Sequence, residues 1–348
     1  MNTKIILIAT ISSIIILSSL FLISNSEIRY VILQAVDVKQ TPKLLTNSYT
    51  LEAFAVGIPF PYHLTVLDDD VFFNQRHTGK LYVIKDEEFQ NIPVLQFDSE
   101  NSRTKILGIS SNENAIFVHV AENNENRKFE NNRILKYSWD GNSLNLIQEV
   151  VPQSLFTDEH HSGDILVIDD GEVLSTLPIN AMTNDEAYFI YGIHGFDFDS
   201  LTKILWHTSE IEWPEKVEDI DSIDKYEKIH MFKPETNKAV KYWEVPYYPN
   251  SLLIPENNIS KKFQQSLFVG FCKGVNNGGG LYEYPLTIER NGFAIPNTDS
   301  SLLNFDHEQF LIAENFYCIS DMELGPDNTI YLTDYVSNGA IYKIAPKK

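Results

Sequence analysis

Two adjacent histidines beside a carboxylate, Glu159-His160-His161, stand immediately before Ser162-Gly163. Histidine is the side chain whose unperturbed pKa lies near working pH, and an imidazole steered by a neighbouring carboxylate can take a proton from a reacting hydroxyl. From Ile165 the residues become strand-like, break at Asp169-Asp170-Gly171, a hairpin signal, and resume at Val173-Leu174. The pair is therefore expected at the mouth of a β-hairpin, where loops on a rigid β scaffold carry chemistry. The alternative is a solvated or structurally hydrogen-bonded pair.

A second group of candidates lies in residues 210–228, EIEWPEKVEDIDSIDKYEK, an acidic, Pro-containing interval that interrupts the strand pattern. Glu218, Asp219, Asp221 and Asp224 are hard oxygen ligands suited to Ca²⁺, although the EF-hand spacing and its glycine are absent. A solvated acidic loop is the alternative.

The elements that must position these groups are strands. The chain has 348 residues, 43% of them hydrophobic, with 17 Tyr and 21 Phe, enough for a large core and a composition that favours an all-β fold. The 48 acidic against 27 basic residues give a net charge of -21, which excludes nucleic acid as a general partner because its phosphates would be repelled over most of the surface. Residues 5–23 are uncharged and mostly apolar, the length of one membrane-crossing helix. They are expected to anchor the chain with the remainder extracytoplasmic, or to be a signal segment whose cleavage gives a secreted protein. Residues 1–26 are thus set apart as anchor or signal, 27–48 as a spacer without sustained period, and 49–348 as the folded domain.

Within that domain a unit recurs. Tyr62-His-Leu-Thr-Val-Leu67, the turn Asp68-Asp-Asp70, Val71-Phe-Phe73, Thr78-Gly79 and Leu81-Tyr-Val-Ile84 form one antiparallel sheet of short strands. Further units follow around residues 115–138, 165–174, 187–206 and 266–284, and the clearest runs from Ile319 to Ile344 through Gly325-Pro-Asp-Asn328 and Ser337-Asn-Gly339. Repeated sheets of three or four strands separated by Asp/Gly turns predict a six-bladed β-propeller, whose units bury their faces by stacking on one another. A β-sandwich is the competing architecture. The two cysteines, Cys272 and Cys318, then fall on neighbouring blades, and an exported chain can keep them as a disulfide.

The series Ile58-Pro-Phe-Pro61, Gln75-Arg76 with Thr78-Gly79-Lys80, Ile106-Leu-Gly-Ile109, Asn132-Arg133-Ile-Leu-Lys-Tyr137, His160-His-Ser-Gly163, Tyr191-Gly-Ile193, Leu267-Phe-Val-Gly270 and Ile319-Ser-Asp321 with Gly325-Pro-Asp327 resembles, in this order, the soluble sugar dehydrogenases that use pyrroloquinoline quinone (PQQ), the glucose/sorbosone dehydrogenase family. The resemblance runs from about residue 50 to the C-terminus. It implies a six-bladed propeller with PQQ on one face, calcium, and a catalytic histidine at the position of His160, oriented by Glu159, that takes the proton of an aldose C1 hydroxyl. It also implies that Lys273, His161, His194 and Thr104 face the cofactor. The sequence departs from the pattern at Thr104, where the family has glutamine, and at His194-Gly195, where it has an arginine and an asparagine that clamp the quinone. Arginine's planar fork is not reproduced by His. Two readings follow: an exported sugar dehydrogenase, or a propeller without activity that binds a saccharide or a surface partner.

Overall fold

The computed structural model describes residues 41–348 apart from 76–77, 90, 98–102, 113–114, 124–128, 155–164, 168–172, 176–192, 210–226, 234–237, 246–248, 256–262, 273–278, 296–306, 327, 337 and 348. Among them the only helical element is one 3-10 turn, His307–Phe310; the rest of the regular structure is strand. No helix among the described residues is long and apolar enough to cross a membrane, and the expected anchor lies outside them.

Among the described residues two strands, β1 (Lys43–Leu44) and β2 (Tyr49–Ile58), precede six antiparallel sheets. The first sheet is β3 (Pro61–Leu67), β4 (Asp70–Gln75) and β5 (Lys80–Lys85), edged by β6 (Glu88–Phe89) and β7 (Leu95–Gln96). The second is β8 (Arg103–Asn112), β9 (Ala115–Asn123), β10 (Phe129–Trp139) and β11 (Leu144–Ser154). The third is the pair β12 (Ile165–Val167) and β13 (Val173–Ser175), and the fourth β14 (Ile193–Asp199), β15 (Ile204–Ser209), β16 (Glu227–Lys233) and β17 (Lys238–Val245). The fifth holds β18 (Pro249–Leu253), β19 (Ser266–Phe271), β20 (Gly279–Pro285) and β21 (Leu311–Phe316); the last holds β22 (Ile319–Leu324), β23 (Ile330–Asp334) and β24 (Gly339–Pro346).

The N-terminal strands complete the last two sheets. β2 pairs along β24 from Tyr49 opposite Pro346 to Ile58 opposite Gly339, and β1 pairs with β21. The start of the domain is thereby hydrogen-bonded to its end, which covers two sheet edges that would otherwise be open. Lys43–Leu44, in the stretch read from sequence as spacer, already belongs to this pairing.

The first strands of the sheets pack in a closed cycle: β3 on β8, β8 on β12, β12 on β14, β14 on β18, β18 on β22, and β22 back on β3. Each interval between successive sheets holds its own apolar cluster. Phe72, Val83, Ile106 and Val118 fill that between the first two sheets, and Trp206, Trp243, Phe271 and Tyr284 that between the fourth and fifth. Tyr49, Phe268, Ile319 and Tyr342 fill the next, and Leu64, Phe73 and Ile341 join the last sheet to the first. Because every sheet is covered on both faces, strands such as β4, β5 and β19 are buried along nearly their whole length. That is why they are written as apolar runs without alternation. A two-layer sandwich has no such cycle.

Turn chemistry sets the hairpins. Asp68 opens the β3–β4 turn at φ 55°, a left-handed conformation that Asp tolerates, and Asp86 and Glu87 are both left-handed between β5 and β6, as a two-residue hairpin requires. Asp140 accepts the backbone N–H groups of Asn142 and Ser143 at 2.9 and 2.7 Å, which holds its carboxyl at about 2.

Core tyrosines give this packing a pH signature. Burial raises Tyr49, Tyr82, Tyr137 and Tyr342 above the ordinary phenol value; Tyr342, also facing Asp334, reaches about 12. The fold favours the neutral phenol, so this contribution is whole below about pH 10 and is lost as pH rises toward 12. In an alkaline titration these tyrosines are expected to ionise only with loss of the β-sheet circular dichroism signal. Ionisation of all tyrosines in one step with that signal intact would contradict it.

Candidate functional site

The cycle of first strands encloses an axis. All six strands run along it in one direction, since the last residues of each meet around a single cavity: Val66–Asp68, Ser110–Asn112, Leu166 and Val167, Asp197, Phe198 and Ser200, Leu253 to Pro255, and Glu323 and Leu324. A smaller cavity lies one step back, among Leu64, Ile109, Ile165, Phe196, Leu252 and Met322. The axis thus has an N-terminal mouth and a C-terminal mouth of different chemistry.

First strands are sheet edges, whose backbone groups need partners. Side chains of the same or the neighbouring sheet supply them. Asn74 accepts the His63 N–H at 2.8 Å and donates to Ile106 O at 2.9 Å, and Ser110 Oγ accepts from Val167 N at 3.1 Å. Asp197 Oδ2 accepts from Ile254 N at 2.6 Å, Ser251 donates to Ile319 O at 3.1 Å, and Ser320 donates to Tyr62 O at 2.9 Å.

Two of the residues expected to do chemistry stand near the starts of first strands. Thr104 is the second residue of β8 and is buried there; His194 is the second residue of β14. Gly195 explains part of the departure noted at this place. A Cβ on it would come within 2.6 Å of Ser251 Cα, so β14 lies too close to β18 for any larger residue. Its N–H and C=O both meet the Thr208 hydroxyl, at 3.0 and 3.3 Å. Glu159, His160, His161 and Lys273, and the acidic candidates Glu218, Asp219, Asp221 and Asp224, lie outside the described residues. Among the described residues no group of three or more His, Cys, Asp and Glu could hold a metal ion.

The first strands also carry groups that sequence reasoning did not single out. His63, 1% exposed, sits on β3 with Nδ1 3.6 Å from Asp321 Oδ2, and the same carboxylate oxygen accepts Leu64 N–H at 2.8 Å. Tyr62 packs edge-on to the imidazole with centroids 4.4 Å apart. Cys272 and Cys318 form the expected disulfide, which joins the fifth sheet to the sixth. Asp334 Oδ1 accepts the N–H groups of Tyr317 and Cys318 at 2.7 and 3.2 Å. The only sequence signal for His63 was a histidine inside an otherwise strand-like run.

The C-terminal mouth is acidic. Its cavity, about 330 Å³, has Asp68, Asp197 and Glu323 in its wall together with Ser110, Ser111, Asn112 and Ser200, and among the described residues no Lys, Arg or His lines it.

No protein-family model matches the sequence, and no curated protein matches it. Solved structures do share its fold. A glucose dehydrogenase aligns with a TM-score of 0.57 at 14% identity over 86% of this chain and 100% of its own. The soluble aldose sugar dehydrogenase of Escherichia coli, in its apo form, gives 0.53 at 14% over the same shares. A Trichoderma reesei protein of Carbohydrate-Active Enzymes Family AA12 gives 0.54 at 10%, over 89% of this chain and 98% of its own. The chain therefore shares the fold of these sugar dehydrogenases.

Proposed function

We propose that the chain is a six-bladed propeller acting as a sugar dehydrogenase-like oxidoreductase, with its reaction centre at the N-terminal mouth and an aldose as substrate. The observation that carries the choice of mouth is charge. PQQ bears three carboxylates, and the three carboxylates around the C-terminal cavity disfavour it there. At the other end Thr104 and His194 stand on first strands of the cycle, as a group held over the axis requires.

In this reading Lys273, His161, His194 and Thr104 hold the cofactor, and Glu218, Asp219, Asp221 and Asp224 supply oxygen ligands for Ca²⁺. The quinone, when bound, serves as acceptor of the hydride from the sugar C1. His160, as neutral imidazole, takes the C1 hydroxyl proton, and Glu159 orients the ring and stabilises the imidazolium. Residues 5–23 tether the propeller on the extracytoplasmic side, or release it as a secreted protein when cleaved. The second reading, a propeller that binds a saccharide or surface protein without turnover, is favoured by Gly195, which leaves no room for a clamping side chain at that position.

The test is calorimetric titration of the chain with PQQ, with and without Ca²⁺, followed by dye reduction with an aldose panel. Binding with turnover that falls about a hundredfold in kcat in His160→Gln is expected. No binding heat, no thermal shift and no turnover across the panel would leave the non-catalytic reading in its place.

A further inference from the structure

Phe60 is held in a conformation that its side chain disfavours. It stands one residue before β3, within Ile58-Pro-Phe-Pro61, and its φ of 50° lies in the left-handed region. A bulky residue there is an outlier, and strain of this kind persists only where the surroundings enforce it, as they do at ligand clamps. Here the Phe60 N–H donates to Val336 O at 2.9 Å, which ties the entry of the first sheet to the loop after β23 in the sixth.

What the strain secures is the position of a ring. Phe60 and Tyr335 pack with centroids 5.4 Å apart, and Tyr335 packs on Tyr62 at 5.5 Å. Tyr62 is buried, whereas Phe60 and Tyr335 are each half-buried, so two rings reach solvent against a third. Tyr335 is fixed in the same manner: its N–H donates to Cys318 O at 2.8 Å, and Cys318 is bonded to Cys272. Two aromatic faces are therefore set by the backbone before a ligand arrives, which lowers the ordering cost of binding.

The register gives their place. β3 begins at Pro61, and Ile319, the first residue of β22, lies opposite Asp334, the last of β23. Phe60 and Tyr335 thus stand at the N-terminal mouth, on the seam between the first and sixth sheets. Because Tyr335 follows the second strand of its sheet, it is displaced outward from the axis by about one strand spacing, ~4.8 Å. Gln75, opposite Pro61, and the exposed Asn338 carry amides at the same end.

Fixed aromatic faces flanked by amides suit a pyranose, whose C–H face packs on a π face while its hydroxyls meet donors and acceptors. A nucleotide also stacks, but it brings phosphate to a chain of net charge -21. We propose that Phe60 and Tyr335 form a stacking subsite for the pyranose unit next to the one that reacts, so that the preferred substrate is a reducing disaccharide or longer saccharide. This rests on the reading of the N-terminal mouth as the reaction centre and extends it outward from the axis.

The experiment titrates the full chain with glucose, maltose and cellobiose, with and without PQQ and Ca²⁺. The better of the two disaccharides is expected to bind about tenfold more tightly than glucose. Tyr335→Ala and Phe60→Asn, whose new side chain accepts a left-handed backbone, are each expected to abolish that preference with glucose and PQQ affinity unchanged. Tyr331→Ala, the same change to a half-buried tyrosine near the other end of β23, should leave the preference intact. If Tyr335→Ala does not fold, Phe60→Asn decides alone. Equal affinity for glucose and both disaccharides, a preference that survives loss of either ring, or an equal loss in Tyr331→Ala would overturn the subsite. The reading beneath it fails separately: turnover of glucose with PQQ but no disaccharide preference removes the subsite alone. A Tyr335-dependent preference without PQQ binding keeps the subsite and assigns it to a saccharide-binding propeller.

Discussion

Replacing Arg290 by alanine is expected to lower the stability of the folded chain by about 3–5 kcal/mol, because it leaves a buried carboxylate without its counter-ion. Arg290 and Asp199 are both almost completely buried, with Nε 2.9 Å from Oδ2. The other two guanidinium nitrogens donate to Gln264 O at 3.0 Å and Pro255 O at 2.8 Å. One side chain thus joins the end of the fourth sheet's first strand to both flanks of the fifth sheet's first hairpin. Asp199 uses its remaining acceptor capacity on Leu201 N and the Thr202 hydroxyl, at 3.1 and 2.8 Å, so no water need enter to satisfy the pair.

Two further variants separate charge from geometry. Arg290→Lys keeps the charge but cannot reach three acceptors in a plane, and is expected to recover less than half of the loss. Arg290→Gly removes the same bonds as alanine but suits the left-handed backbone at φ 53°, and should be up to about 1 kcal/mol more stable than Arg290→Ala. Urea unfolding of the three variants checks the order. A loss below about 1 kcal/mol in Arg290→Ala would mean that the pair is not what secures this side of the ring.

How much of this was legible in the sequence depends on the range of the interaction concerned. The hairpin between β3 and β4 was legible because its signal, Asp68-Asp69-Asp70, is local and its left-handed residue is one that Asp accepts. The unit ending the chain was legible for the same reason. The pairing of β2 with β24 was not, because its two partners lie at opposite ends of the domain and neither carries a mark of the other. The two-residue β1 is too short to show any period.

The candidate site divides in the same way. For Thr104 and His194 the motif order marks strands that the fold puts first in their sheets, while the other candidates lie outside the described residues. The carboxylates of the acidic mouth could not be found, because Asp68, Asp197 and Glu323 lie on three separate segments and each looks like an ordinary turn or strand-end acid. The His63–Asp321 pair was hidden by the same distance. At Gly195 the departure has a physical cause that the sequence does not carry, the close approach of β14 to β18.

Removing the disulfide by Cys318→Ser, paired with Cys272→Ser to leave no lone thiol, is expected to cost about 4 kcal/mol through the unfolded chain. The two residues are 46 apart, and releasing a loop of that size restores to the unfolded state the entropy that cross-linking had removed. The native position of Cys318 does not depend on the bond: its N–H is held by Asp334 and its carbonyl accepts from Tyr335 N at 2.8 Å. The variant should therefore fold to the same sheets and differ in midpoint, by roughly 6 °C given an unfolding entropy of ~2 cal/mol/K per residue. Reduction of the unaltered chain should produce the same shift and add nothing to the double serine variant. If the double variant lost its sheet structure outright at ambient temperature, the bond would have to be a condition for assembling the N-terminal mouth, with Asp334 insufficient to hold Cys318 in place. If its midpoint were unchanged, the segment between the cysteines would have to be compact already in the unfolded chain, leaving the cross-link little entropy to remove.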